Sequence, residues 1–238
     1  MKKQNLHSTS RRGFLGSIAA GTTALGVSAI APLNTYAENI QHGSPEDPDA
    51  WFNKVKGKHK VVFDATRPHE IAPFVWPRVF LMTNAATGTA ARDCAVVVVL
   101  RHAAIPYAFE DSLWAKYNFG EFFKANEIGP SFKAADAATA TSVRNPFWKP
   151  KPGDFAAPGV GPVSIGINDL QADGVMFCVC NAAITVYAAA MAGMKNIDAE
   201  TLKKEWLAGL LPGIQVVPSG VWALGRAQEK GCAYVFAG

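Results

Sequence analysis

The chain has 238 residues, 49% of them hydrophobic, with 23 basic and 19 acidic side chains. Four of the bases, Lys2, Lys3, Arg11 and Arg12, fall in the first 37 residues, which hold no acid, so 23 − 4 = 19 bases face 19 acids in the remainder. That balance excludes the electrostatic footprint of a nucleic-acid or anionic-lipid binder, and the remaining stretch of about 200 residues, close to neutral in net charge, suits one globular domain with a sizeable core.

The N-terminal run Ser8-Thr9-Ser10-Arg11-Arg12-Gly13-Phe14-Leu15 resembles the twin-arginine export consensus of a polar residue, paired arginines, a spacer and Phe-Leu. From Phe14 to Pro32 no residue is charged, and frequent Gly, Ala and Thr keep the run mildly apolar, as in a signal peptide. Thr35-Tyr36-Ala37 offers small residues at the positions a signal peptidase reads, so cleavage is expected after Ala37. The competing reading is an uncleaved anchor, but a spanning helix needs about 20 strongly apolar residues. The signal implies the twin-arginine translocase as a partner, export in the folded state and residence in the periplasm. No second run is long enough to span a membrane.

Residues 38–57 are polar, with Gly43, Pro45, Pro48 and Gly57, and read as an extended lead-in to a domain over 58–238. Short apolar, often β-branched runs at Lys60–Ala65, Ala95–Leu100, Val175–Cys180, Ile214–Val217 and Ala233–Phe236 fit parallel strands covered on both faces. Helical spacing appears between them at Trp76–Asn84, Phe109–Lys124, Ala182–Met194, Ala199–Leu211 and Val221–Lys230, with Asp198 as a cap for the fourth. This alternation predicts a three-layer α/β/α sandwich with a mostly parallel sheet of about five strands.

One stretch, residues 127–162, breaks the rhythm. It is rich in Ala, Ser and Thr and then carries Phe147, Trp148 and Phe155 among Pro146, Pro150, Pro152 and Pro158. A loop so long is functional or an embellishment. Its aromatics, which a monomer would struggle to cover, predict packing over the crevice or against a neighbouring subunit. The alternatives are an insertion packed over the sheet edge and a mobile solvent loop.

In open parallel sheets, reactive groups gather beyond the carboxyl ends of the strands, where helix N-termini also point. Those ends supply Asp64, Thr66, Arg67 and His69, then Arg101 and His102, then Cys180 and Asn181, then Ser219 and Gly220. Cys180 stands out as the last residue of a strand with a helix starting near Asn181, where the positive helix end favours a thiolate. His102 follows a buried strand and is placed to act as base or hydrogen-bond donor for Cys180. Its alternative is a structural strand-end histidine.

Cys178 lies two residues before Cys180, on the same strand face, and reads as a buried small hydrophobe. A soft-metal site of Cys178, Cys180 and His102 stays open, though C-x-C is a weak signal. Cys94 and Cys232 fall near strand starts and read as core, and a disulfide stays open because the expected compartment is oxidising. Neither a phosphate loop, a G-x-S-x-G elbow, an H-E-x-x-H helix nor a C-x-x-C-H haem site is present, which removes nucleotide-dependent kinases, serine hydrolases, common zinc proteases and c-type cytochromes from the leading candidates and names no cofactor.

The runs 96–102 (VVVVLRH), 174–181 (GVMFCVCN), 211–221 (LPGIQVVPSGV) and 226–235 (RAQEKGCAYV) together resemble the DsrE-like sulfur-relay family over roughly 58–126 and 163–238. The resemblance implies a homo-oligomeric α/β sandwich that carries a persulfide on the cysteine after the third strand, here Cys180. His102 matches a histidine often found after the second strand, and Asn181 replaces the common glycine, so that His102 and Asn181 would orient the thiolate. It also implies a sulfur donor or acceptor protein as partner. The competing class is a non-catalytic ligand-binding or assembly module of the same fold.

Overall fold

A computed structural model of the chain describes residues 47–125 and 143–238. The export signal, the start of the lead-in and the insertion up to residue 142 lie outside the described residues. In chain order the elements are α1 (Pro48–Trp51), β1 (His59–Ala65), α2 (Ala72–Ala86), β2 (Cys94–Leu100), α3 (Asp111–Tyr117), α4 (Phe119–Phe122), the two-residue strands β3 (Ala156–Ala157) and β4 (Gly161–Pro162), α5 (Ile167–Ala172), β5 (Met176–Cys180), α6 (Asn181–Lys195), α7 (Ala199–Ala208), β6 (Ile214–Val217), α8 (Gly220–Glu229) and β7 (Ala233–Phe236). A 3₁₀ segment, His102–Ala108, follows β2 directly.

The main sheet is wholly parallel, in the order β6-β5-β2-β1-β7. The expected five-stranded parallel sheet is borne out. From β1 the chain winds outward through β2, β5 and β6, then turns back across the sheet to β7. Right-handed crossovers put the connections of these two legs on opposite faces. The larger layer packs Phe74, Trp114, Ile184 and Trp206 onto Phe63, Val98 and Phe177, and the smaller sets Trp51, Phe52, Ala223 and Ala227 on Val62, Val97, Val99 and Cys178. The central β2 is buried on both faces, which explains its unbroken run of valines.

Three departures from the sequence reading have physical causes. The lead-in is not wholly extended: Asp47 caps α1 by accepting the Asp49 N–H, because Trp51 and Phe52 need to cover the smaller face. The expected helix over 109–124 is broken at Asn118, whose φ of 52° is left-handed, a conformation asparagine tolerates better than most residues. The insertion's aromatics need no partner subunit. Phe147 and Phe155 are fully buried in the chain's own core, Phe147 stacking on Phe74 at 4.0 Å and on Phe155 at 5.1 Å.

Burial of that size is worth about 2 kcal/mol per aromatic. Asn145 fixes the entry to the buried segment: its Nδ2 donates to the carbonyls of Tyr107 and Phe109, each at 3.0 Å, and its Oδ1 accepts the Phe147 N–H at 3.1 Å. Part of the insertion is therefore structural wall. None of its described residues lines the cleft at the carboxyl end of the sheet.

Candidate functional site

β5 ends at Cys180 and α6 begins at Asn181, so the thiol sits at the cap of a 15-residue helix. Its Sγ accepts the Ala183 N–H at 3.3 Å, taking the place of the Ser, Thr or Asp oxygen that usually satisfies an open helix end. The turn is tied to the next crossover by a hydrogen bond from the Ala182 N–H to the Pro218 carbonyl at 3.2 Å. There Ser219 caps α8 through the Trp222 N–H. Two helix N-termini thus open at the same end of the sheet as the thiol.

The charged group beside Cys180 is Arg101, the residue after β2. Its pKa is raised above the ordinary guanidinium value, first by its hydrogen bonds to Asp64, with burial opposing and the charge of Asp64 adding to the rise. Arg101 Nε and Nη2 meet Asp64 Oδ1 and Oδ2 at 2.7 and 2.9 Å, and Tyr234 Oη donates to Asp64 Oδ2 at 2.8 Å. Asp64 is 1% exposed, so this carboxylate is held by three donors and in turn fixes the guanidinium. Gly220 makes room for it: a Cβ there would stand 2.5 Å from the Arg101 Cβ.

The structure brings Cys180 and Arg101 together at this end and leaves His102 and Asn181 in other roles. The His102 ring packs edge-on against Tyr187, 3.4 Å from its hydroxyl, and among the described residues it makes no hydrogen bond to Cys180. Asn181 is 1% exposed on the buried stripe of α6, and neither polar atom of its amide has a hydrogen-bond partner. Its expected orientation of the thiolate has no counterpart in a direct contact. His69 is exposed in the loop after β1.

All four cysteines are free. Burial pushes the Cys178 thiol far above its ordinary value, and burial also raises Cys94 and Cys232. Cys178 faces the smaller core layer. Among the described residues no three His, Cys, Asp or Glu side chains converge as metal ligands, so Cys178, Cys180 and His102 do not form the soft-metal set considered from sequence.

Beside Arg101, at the carboxyl ends of β1 and β2, lies an open cleft of about 530 Å³ lined by Thr66, Arg67, Pro68, Arg101, His102, Ala103, Phe123 and Lys124. It flanks β1, where the winding of the sheet reverses, the usual place for a ligand in an open α/β fold. Sequence reasoning named Thr66, Arg67, Arg101 and His102 as strand-end groups but missed Phe123 and Lys124, which arrive from the end of α4. The only early signal for them was the amphipathic run after Phe109.

No family model matches the chain, and no curated protein matches it. Among solved structures, one described as a protein of unknown function from Methanobacterium thermoautotrophicum aligns with a TM-score of 0.33 at 17% identity, covering 75% of this chain and 98% of that one. Fold and site define an open, parallel α/β protein with a helix-capping cysteine and a basic cleft at one end of its sheet.

Proposed function

We propose that this chain is an exported, periplasmic protein that accepts and passes on sulfane sulfur through Cys180. The observation that supports this reading is the placing of the thiol: Sγ takes the Ala183 N–H at the open end of α6, beside a guanidinium that Asp64 holds still. In the transfer, Sγ attacks the terminal sulfur of a donor persulfide. The donor S–S bond breaks, a new S–S bond forms at Sγ, the donor departs as a thiol carrying the Cys180 proton, and no net oxidation occurs. The anionic persulfide left on Cys180 is stabilised by the helix N-terminus and Arg101.

Cys180 is 6% exposed, which restricts attack to thin, unbranched sulfur chains. Exposure of the protein to sodium polysulfide, followed by intact-mass measurement, tests the reading. A gain of one sulfur that dithiothreitol removes and Cys180→Ser abolishes supports it; no adduct, or an adduct that persists in Cys180→Ser, overturns it in favour of a binding or assembly module. Export has its own test, since Arg11→Lys with Arg12→Lys should leave the precursor in the cytoplasm.

A further inference from the structure

Apart from Arg101, the cleft beside β1 carries charged groups that sulfur transfer at Cys180 does not use. We propose that it binds a small organic oxyanion, with a phosphate, sulfonate or carboxylate head held by Arg67, Lys124 and His102 and a compact apolar body laid against Phe123.

The cleft presents three permanent cations, Arg67, Arg101 and Lys124, with the imidazole of His102, and among the described residues no acidic side chain lines it. A generally basic surface does not account for this, because residues 38–238 hold 19 bases against 19 acids. Arg101 is compensated by Asp64, but among the described residues Arg67 and Lys124 make no ion pair. The Gly238 carboxyl oxygen near them is taken up by the Thr66 and Arg67 N–H groups and the Thr66 hydroxyl. Two cations without an ion-pair partner facing one volume repel each other, and an anion between them relieves that repulsion.

The backbone supports the assignment. His102 and Lys124, two of six described non-glycine residues with left-handed backbone, have φ 49° and 56°, at a cost of roughly 1 kcal/mol for a residue such as lysine. Both strained residues stand on the cleft wall, and Tyr187 holds the His102 ring. Phe123 supplies an aromatic wall beside the polar head site. A volume of about 530 Å³ falls in the range of small-molecule pockets and is too small for a folded partner.

Titration calorimetry of the protein at low salt decides, with phenyl phosphate, inorganic phosphate and benzyl alcohol as probes. Phenyl phosphate should bind saturably and about tenfold more tightly than inorganic phosphate, equivalent to about 1.4 kcal/mol, with no heat from benzyl alcohol. The double variant Arg67→Ala, Lys124→Ala should weaken phenyl phosphate at least tenfold. Lys124→Glu, a single exposed change, should do the same and guards against a folding artefact, with melting temperatures compared throughout. Cys180→Ser should bind within twofold of the parent, so this site and the persulfide reading stand or fall separately. Absence of saturable binding by either anion, or unchanged affinity in the double variant and in Lys124→Glu, overturns the site; equal affinity for the two phosphates overturns the apolar wall.

Discussion

Arg101 and Asp64 meet through two parallel hydrogen bonds, Nε to Oδ1 at 2.7 Å and Nη2 to Oδ2 at 2.9 Å, although 37 residues separate them in the chain. The β1–β2 register makes the meeting possible: Asp64 pairs with Val99, and Arg101, two residues on, lies on the same face and reaches back. Arg101→Met leaves a carboxylate that is 1% exposed with Tyr234 as its one remaining donor. Urea unfolding should show a loss of about 3 kcal/mol, the usual cost of stranding a buried charge. Arg101→Lys keeps the charge and loses the fork, so it should recover part of that stability.

Gly220→Ala tests the same arrangement from the other side. The added methyl would stand 2.5 Å from the Arg101 Cβ and 2.7 Å from its Cδ, so the guanidinium stem must shift. Slower modification of Cys180 by iodoacetamide, together with a lower melting temperature, is the expected outcome. Unchanged labelling and melting would mean that Arg101 moves freely.

Asn145→Ala removes a fully buried amide that serves two carbonyls and one N–H of the chain. Two acceptors and a donor are then left without partners in the core, at about 1–3 kcal/mol for an unsatisfied group. A destabilisation of about 3 kcal/mol by urea titration is expected, with faster proteolysis near Lys149.

Alkaline pH should weaken the fold through two buried groups. Burial raises the Cys178 thiol and the Tyr107 phenol well above their ordinary values of 9.0 and 10.0. In the unfolded chain these groups ionise first, so their contribution is intact below those values and is lost as pH climbs from them towards the raised folded values. Melting temperatures measured from pH 8 to 11 should fall, and Cys178→Val should flatten the first part of that fall.

Acid acts through Glu205 with the opposite sign. Burial pushes its pKa up, but hydrogen bonds from Lys116 at 2.6 Å and Tyr117 at 2.8 Å outweigh burial and leave it lowered. A depressed carboxylate stabilises above its ordinary value of 4.5 and loses that contribution as pH falls through the folded value. Glu205→Gln should therefore show a shallower loss of stability between pH 5 and pH 3 than the parent.

The strands and the end of the sheet that bears Cys180 were legible in the sequence because they depend on local patterning. Ile214–Val217 and Ala233–Phe236 fall where apolar runs bounded by turns placed them, and Asp198 caps α7 by accepting the Thr201 N–H at 2.8 Å. What escaped depends on register and on distant partners. Nothing near Arg101 in the chain announces Asp64 or Cys180 as its neighbours, and nothing near Asn145 announces the carbonyls of Tyr107 and Phe109. The aromatics of the insertion suggested an outside surface because Phe74, to which they belong, lies more than seventy residues earlier.

β7 carries a consequence of timing. It pairs with β1, and Tyr234 reaches Asp64 across 170 residues of chain. At 5–20 residues per second of synthesis, roughly ten to thirty seconds pass between the emergence of one and the other. Throughout that interval the outer edge of β1 has no strand to receive its hydrogen bonds, and the Asp64 carboxylate lacks its tyrosine. A ribosome that stops short of residue 233 therefore releases a sheet with a raw β1 edge, so completeness of translation is written directly into the protein's ability to pass as folded.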